Sequence, residues 1–212
     1  LVRQYAAFQV LHPKKRKKDY KYPSVTFVVP ARNEEENIAK CVNSLLAQDY
    51  PKNKLKIIVV NDHSTDATEK IVRAIAKKDS RLKLVQARDL TNGWMGKQNG
   101  CWTGSKYVKT ELVAFVDADP VSSKYLLSTT VPHSKLHSLD LFSISPTLVF
   151  STFWEKFIVP FEFLLYGLMM SPKRNKKASD AFANGQFIMM KKSVYDAVGG
   201  HQTTRMSQME DL

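Results

Sequence analysis

The chain has 212 residues, of which 43% are hydrophobic, 25% charged and 10% aromatic, and its 32 Lys and Arg against 20 Asp and Glu give a formal net charge of +12. This composition excludes a disordered chain, a collagen and a coiled coil, and the length allows one domain, with or without an appendage, burying about 70% of its unfolded surface. The positive balance leaves three partner classes open: nucleic acid, an anionic membrane surface, or a polyanionic small molecule such as a nucleotide diphosphate.

Cys41 and Cys101 offer neither a disulfide framework nor C-x-x-C metal spacing. They read as small buried hydrophobes in a protein of a reducing compartment. No stretch reaches the about 18 uninterrupted apolar residues that a spanning helix needs, and no secretory signal is visible at the start. Residue 1 is leucine, so the sequence is expected to be a segment of a longer protein.

Residues 1–22 read as a leader carrying the basic run Lys14, Lys15, Arg16, Lys17 and Lys18. The pattern then changes. Val25 to Pro30 (VTFVVP) is the short continuous apolar run of a strand buried on both faces of a parallel sheet. Asn33, with Glu36 three residues on, predicts an N-cap for a helix that carries Ile38, Val42, Leu45 and Leu46 through Gln48. The unit repeats with a strand at Leu55 to Val60, then a helix capped by Asp66 with Ile71 and Ile75 on its inner face. Leu82 to Val85 is a third strand, Lys97 to Tyr107 a helix despite its glycines, and Leu112 to Val116 a fourth strand. Alternating strands and helices imply a doubly wound parallel α/β sheet whose ligands lie beyond the carboxyl ends of the strands.

The second part is less regular. Residues 139–149 suggest another strand, and Phe150 to Met170 is a long apolar and aromatic stretch interrupted by Glu155, Lys156, Pro160 and Glu162, which argue against a span. Its helical spacing suits either a core element or an interfacial helix, the latter favoured by Lys173, Arg174, Lys176 and Lys177 just after it. Gln186 to Met190 reads as a strand and Lys192 to Val198 as a short helix stopped by Gly199 or Gly200.

The carboxylates are informative by placement. Asp62 follows the second strand, and Asp117 and Asp119 follow the fourth, so all three fall at the ligand-binding edge. Asp117-Ala118-Asp119 is a D-x-D, which reads as a solvated turn or as two carboxylates sharing a hard divalent cation on diphosphate oxygens. In the loop from Asn61 to Asp66, Ser64 and Asp66 suit helix capping, whereas Asp62 precedes the cap and can accept from the imide N–H of a uracil or another base edge. His63, lacking a partner histidine, reads as a loop residue. Gly93 to Lys97 (GWMGK) opens a helix, and its glycines and lysine suit a diphosphate or sugar. Neither a P-loop nor a nicotinamide-type glycine fingerprint is present. Glu210 and Asp211 read as a solvated terminus or as the carboxylate base that a glycosyl transfer needs to take the proton of the attacking hydroxyl.

In order and spacing, Pro30-Ala31-Arg32-Asn33-Glu34-Glu35, Asn61 to Asp66, Gly96-Lys97, Asp117-Ala118-Asp119, Gly199-Gly200-His201 and Glu210-Asp211 resemble family 2 glycosyltransferases of the GT-A fold. The flavour looks like that of the membrane-associated members acting on lipids, such as the hopanoid-associated, carotenoid and ceramide glycosyltransferases, where a W-x-G-K segment, here Trp94 to Lys97, precedes the D-x-D. The resemblance covers residues 24–212 and implies a nucleotide-binding part at 23–120 and an acceptor-side part at 121–212. It implies that Ala31, Arg32 and Glu34 line the nucleotide pocket and that Asp62 binds the base. Asp117 would contact ribose or metal, Asp119 would hold Mg²⁺ or Mn²⁺ on the diphosphate, and Asp211, or else Glu210, would be the base of a single inverting displacement. The implied donor is a nucleotide sugar, a UDP-sugar first, and the implied acceptor a lipid or lipid-linked hydroxyl. Family members often carry a Q-x-x-R-W segment downstream of the acidic pair. The chain stops at Leu212 before one, so its acceptor side is expected to be truncated.

Two other readings remain: a nucleotidyltransferase on a related sheet, which lacks a glycine-rich, arginine-containing triphosphate loop here, and a basic membrane- or nucleic-acid-binding module. Residues 1–22 hold seven basic residues and one acidic, and 173–177 four more basic ones, so the remainder is nearly neutral. Two local patches of this kind are expected for docking on anionic lipid at the cytoplasmic face, with spanning helices outside this segment, and no nucleic-acid partner is expected.

Overall fold

Strand β1 (Val25–Ala31) is buried along almost its whole length because it lies inside a sheet covered on both faces. The computed structural model describes residues 11–90, 93–144, 152–154, 156–161, 183 and 185–205. β1 pairs in parallel with β2 (Leu55–Asn61) on one side and β4 (Leu112–Val116) on the other, and β2 pairs in parallel with β3 (Leu82–Gln86). β6 (Phe187–Lys191) runs antiparallel between β4 and the short β5 (Leu141–Ser143), giving a six-stranded sheet of order β3-β2-β1-β4-β6-β5. This mixed, mainly parallel sheet flanked by helices is the expected α/β architecture of the GT-A type.

Alternate residues of the central strands face opposite layers. Phe27, Val29, Ile57, Val59 and Ala114 pack with Ile38, Cys41, Val42 and Leu45 of α1 (Ile38–Leu46), Val72 of α2 (Thr68–Ala76) and Leu127 of α4 (Leu126–Leu136). Val28, Ile58, Val60, Val113 and Phe115 pack with Cys101 of α3 (Gly96–Ser105) and Tyr195 of α5 (Lys192–Ala197). Both faces are therefore dry. Each fully buried aliphatic side chain contributes about 1.5–3 kcal/mol, which is why the sequence shows continuous apolar runs rather than alternation.

Several expectations shift in detail. α1 begins at Ile38, not after Asn33, because Asn33 sits in the left-handed region (φ 56°) and its Oδ1 accepts from the Thr65 N–H (2.9 Å). Asp66 does act at the start of α2, accepting from the Thr68 N–H at 2.9 Å. The strand expected over 139–149 is confined to Leu141–Ser143 among the described residues, and 145–149 lie outside them. Of the stretch 150–170, residue 152 is a bend, residues 153–154 and 156–161 are helical, and the others lie outside the described set. α4 was not expected from the sequence. It contains Pro132, and on its buried side Ser128, Thr129 and Thr130 stand between Leu127 and Val131, so hydroxyls interrupt the apolar pattern.

The Ser128 and Thr129 hydroxyls receive the basic run. The Lys14 N–H donates to Thr129 Oγ1 (2.8 Å), Ser128 Oγ donates to the Lys14 carbonyl (2.6 Å), and the Arg16 N–H donates to Asp49 Oδ2 (2.8 Å). Tyr22 joins the core beside Tyr20 and Tyr50. Residues 14–22 are thus strapped to the domain by their backbone, while the side chains of 14–18 remain exposed.

Candidate functional site

The carboxyl ends of β1, β2 and β4 set the site. Two loops leave β1 and β2 side by side, and a ladder of hydrogen bonds closes them together. The Asp62 N–H donates to the Ala31 carbonyl (2.8 Å), and the Asn33 N–H to Ser64 Oγ (3.1 Å). The Glu34 N–H donates to Thr68 Oγ1 (2.7 Å), the Glu35 N–H to Asp66 Oδ2 (3.0 Å), and the Ala67 N–H to Glu35 Oε2 (2.8 Å). The turn-forming residues Asn, Ser, Thr and Asp of both loops are used here, satisfying backbone donors that regular structure leaves over.

Asp62 is the buried carboxylate of this group, at 5% exposure. Its Oδ2 lies 4.0 Å from the Arg32 guanidinium, its Oδ1 lies 3.2 Å from His63 Nδ1, and it faces the first turn of α3, where a Cβ added to Gly96 would fall 2.9 Å from Oδ2. A carboxylate at a helix N-terminus is stabilised by the free N–H groups and the helix dipole. His63 sits in the left-handed region (φ 54°), and its Nε2 lies 3.2 Å from Asp89 Oδ1. Hydrogen bonding to Asp62 and Asp89 raises its pKa above the ordinary histidine value.

Lys97, on the same first turn of α3, places Nζ 2.8 Å from Asp117 Oδ1. Asp117 is partly buried and Asp119 exposed at the end of β4. Beneath them the Cys41 thiol points at the Asp117 carbonyl (Sγ to O 3.4 Å). Burial, and then the charges of Asp119, Asp117 and Glu34, push that thiol up to about 12. Cys41 is therefore a neutral donor. Among the described residues no group of three or more His, Cys, Asp or Glu side chains could enclose a metal ion. The oxygen-only pair Asp117 and Asp119 suits Mg²⁺ or Mn²⁺, cations held by one or two carboxylates with phosphate and water completing the shell.

A small cavity of about 30 Å³ lies behind the ion pair, lined by Lys97, Asp117, Cys101, Phe115, Gly185 and His201. His201 follows Gly199 and Gly200, whose φ angles of 83° and 53° favour glycine and turn the chain back over the site. Its Nδ1 lies 2.8 Å from the Tyr195 hydroxyl and its ring stands edge-on to Phe115, centroids 4.5 Å apart. Burial, and then the Lys97 charge, lower its pKa to about 4, so the ring is neutral. The Met95 N–H donates to the Arg205 carbonyl (3.1 Å), tying this return to the W-x-G-K segment.

The expected residues Ala31, Arg32, Glu34, Asp62, Gly96, Lys97, Asp117 and Asp119 thus all lie along one edge of the sheet. Glu210 and Asp211 lie outside the described residues, as do Lys173, Arg174, Lys176 and Lys177. Sequence reasoning missed Cys41 and Tyr195 as parts of this edge and gave His201, named within the motif Gly199-Gly200-His201, no role in it. The Gly-Gly pair ahead of His201 was the available signal, because two consecutive glycines after a short helix mark a tight return rather than a simple stop.

Comparison with known proteins gives the edge a context. The chain is 29% identical over 196 residues to the 4,4'-diaponeurosporenoate glycosyltransferase of Staphylococcus aureus, covering 91% of this chain and 50% of the relative. Its fold is similar to that of the mannosyltransferase PcManGT of Pyrobaculum calidifontis, solved with GDP-Man and Mn²⁺, at 24% identity and a TM-score of 0.65, covering 91% of this chain and 51% of that one. It is also similar to S. aureus TarS bound to UDP, at 23% identity and a TM-score of 0.57, covering 83% and 49%. The chain spans about half the length of the curated relatives it matches. The family model described as Glycosyl transferase family 2 matches residues 26–199, a span that runs from β1 through α5 and takes in the whole carboxylate edge, and the chain belongs to that family.

Proposed function

We propose that the protein moves a sugar from a nucleoside diphosphate donor, a UDP-sugar first, to the hydroxyl of a lipid or lipid-linked acceptor by a single inverting displacement. The observation that carries this reading is the convergence of Asp62, Lys97, Asp117 and Asp119 where the parallel strands end. Asp62 accepts from the base edge of the nucleotide, and Arg32 and Glu34 flank it. Lys97 and the first turn of α3 receive the diphosphate. Asp117 and Asp119 hold a divalent cation, which when bound neutralises charge on the leaving diphosphate. Asp211, with Glu210 as the second candidate, takes the proton of the acceptor hydroxyl as its oxygen bonds to the anomeric carbon and the bond to the diphosphate breaks. A lipid acceptor suits the likeness to a glycosyltransferase named for a carotenoid acid.

The test is transfer or donor hydrolysis by the full-length protein with Mg²⁺ or Mn²⁺. Asp119→Ala, an exposed position, is expected to lower the rate about 10²–10⁴-fold with an unchanged melting temperature. Equal activity in the variant overturns the mechanism.

The second part of the reading is a location: docking on anionic lipid at the cytoplasmic membrane face. Lys14 to Lys18 are exposed on a backbone fixed to α4 and Asp49, and Phe153, Trp154, Phe157, Ile158 and Phe161, spaced as one helix face, are 46–72% exposed. Aromatic and basic side chains in this combination favour the lipid headgroup region. No helix among the described residues is long and apolar enough to cross a membrane. Sedimentation with vesicles containing anionic lipid is expected to fall at least several-fold when Trp154 and Phe157 are replaced by Glu. Unchanged sedimentation overturns the docking.

A further inference from the structure

Asp119 is exposed, yet the chain that carries it is anchored on both sides by one face of α1 and the residues just beyond it. Cys41, Ser44 and Gln48 fall at helical spacing, and each holds a backbone group of the segment leaving β4. The Cys41 thiol meets the Asp117 carbonyl (3.4 Å), and Ser44 Oγ accepts from the Ser122 N–H (3.0 Å). Gln48 spans the end of the segment: its Nε2 donates to the Ser123 carbonyl (2.8 Å), and its Oε1 accepts from the Leu127 N–H (3.1 Å) at the start of α4. The Asp49 N–H adds a bond to the Lys124 carbonyl (2.7 Å).

Gln48 is only 6% exposed, and its amide is used on both sides, with Nε2 also donating to the Ser44 carbonyl (3.1 Å). A buried amide satisfied in this way is costly to replace by an apolar group, because backbone partners are left unpaired. Neither Asp119 nor its neighbours Pro120 and Val121 lie in a strand or helix. The distance between the two carboxylates of the D-x-D therefore depends on where the chain is held at Asp117 and again at Ser122 to Leu127.

We propose that Gln48, assisted by Ser44, is a positioning residue for the metal-holding pair: it sets the exit path of the chain so that Asp119 stays within reach of the cation shared with Asp117. The inference rests on the metal assignment made above. It makes α1 a template for the site as well as a core helix, and it places a determinant of metal affinity at the far end of that helix from the carboxylates.

The experiment measures Mn²⁺ binding to the full-length protein by the free-Mn²⁺ resonance signal, with and without UDP, in the absence of turnover. Gln48→Leu is expected to weaken Mn²⁺ binding about 10-fold, the scale at which groups that orient metal ligands act. Val72→Ala, a core change in α2 at a fully buried position, is the stability control and is expected to keep the wild-type affinity although its melting temperature falls. Ser44→Ala removes one anchor only, and a smaller loss in the same direction is expected, which keeps the test available if Gln48→Leu does not fold. A folded Gln48→Leu protein, or failing that Ser44→Ala, with wild-type Mn²⁺ affinity overturns the proposal, as does a loss that Val72→Ala reproduces. Mn²⁺ binding that is equally tight in wild type and Asp119→Ala overturns the metal assignment itself, and the positioning role with it.

Discussion

Lys97 and Asp117 form an ion pair at 2.8 Å between the first turn of α3 and the end of β4, with both side chains partly shielded from solvent. The ammonium stands where a divalent cation would compete for the same carboxylate. Replacing Lys97 by Met is expected to act in opposite directions on the two ligands. Mn²⁺ binding without nucleotide should tighten about 3–10-fold because the internal competitor is gone. UDP binding should weaken about 10-fold or more through loss of the proposed charge-assisted contact to the diphosphate. Calorimetry of each ligand separately checks this, and a parallel change in both affinities removes Lys97 from the exchange.

The approach of α3 to the sheet gives a second prediction. A Cβ at Gly104 would fall 2.5 Å from Val28 Cγ1 and 2.9 Å from Val60 Cγ2, and one at Gly100 would fall 2.9 Å from the Pro30 Cβ. Alanine improves helix propensity by up to about 1 kcal/mol, but overpacking against fixed strand residues costs about 1–3 kcal/mol. Gly104→Ala is therefore expected to be destabilising on balance, lowering the melting temperature by roughly 2–8 °C. A rise in melting temperature would mean that α3 moves outward freely. Gly100→Ala has one short contact instead of two and should cost less.

Both predictions show which parts of the fold were readable beforehand. The buried strands announced themselves through Phe27, Val28, Val29, Ile57, Ile58 and Val59, because a sheet covered on both faces leaves no room for polar alternation. The carboxylates were legible because strand ends fix their location. α4 was not legible, since Ser128, Thr129 and Thr130 interrupt the apolar Leu127 and Val131 on its buried face, and the Lys14 partners of Ser128 and Thr129 lie more than a hundred residues away in sequence. The start of α1 was misplaced for a related reason: Asn33 resembles a helix cap locally, but it bonds across to Thr65 in the neighbouring loop. Gln48 looked like the last residue of a helix, and only the folded chain reveals Ser123 and Leu127 beside its amide. Local spacing carries information about local partners, and these residues find theirs at long range.

Gly96 offers a test of the Asp62 pocket that leaves the carboxylate itself in the sequence. A methyl group there would press on Oδ2 at 2.9 Å, and Asp62, buried between Arg32, His63 and α3, has little space to yield. If Asp62 binds the base as proposed, Gly96→Ala is expected to raise the KM for the nucleotide donor about 5–10-fold while changing kcat less than 2-fold, because the base edge is remote from the bond that breaks. A fall in kcat with an unchanged KM would instead tie Asp62 to the chemical step.

The histidines give stability a pH dependence whose sign is set by their surroundings. His201 has a pKa of about 4 in the folded protein, lowered by burial and then by Lys97, against about 6.5 when unfolded. Between those values the unfolded chain binds more protons, so this stabilisation is complete above about pH 6.5 and is lost as the pH falls toward 4. The full loss is roughly 3–4 kcal/mol. His133, its pKa lowered by burial, His137 and Lys14, acts in the same direction. His63 acts oppositely: its raised pKa gives a contribution present below about pH 6.5 and lost as the pH rises through the folded value, and its half-exposed ring keeps that contribution small. Urea denaturation at pH 7.5, 6.0 and 5.0 should therefore show wild type weakening on acidification. His201→Phe keeps a ring against Phe115 but cannot take up a proton. It is expected to start less stable, having lost the Tyr195 hydrogen bond, and to weaken less steeply with acid. The gap between the two proteins should close by pH 5, and parallel lines would show that a different group carries the acid sensitivity.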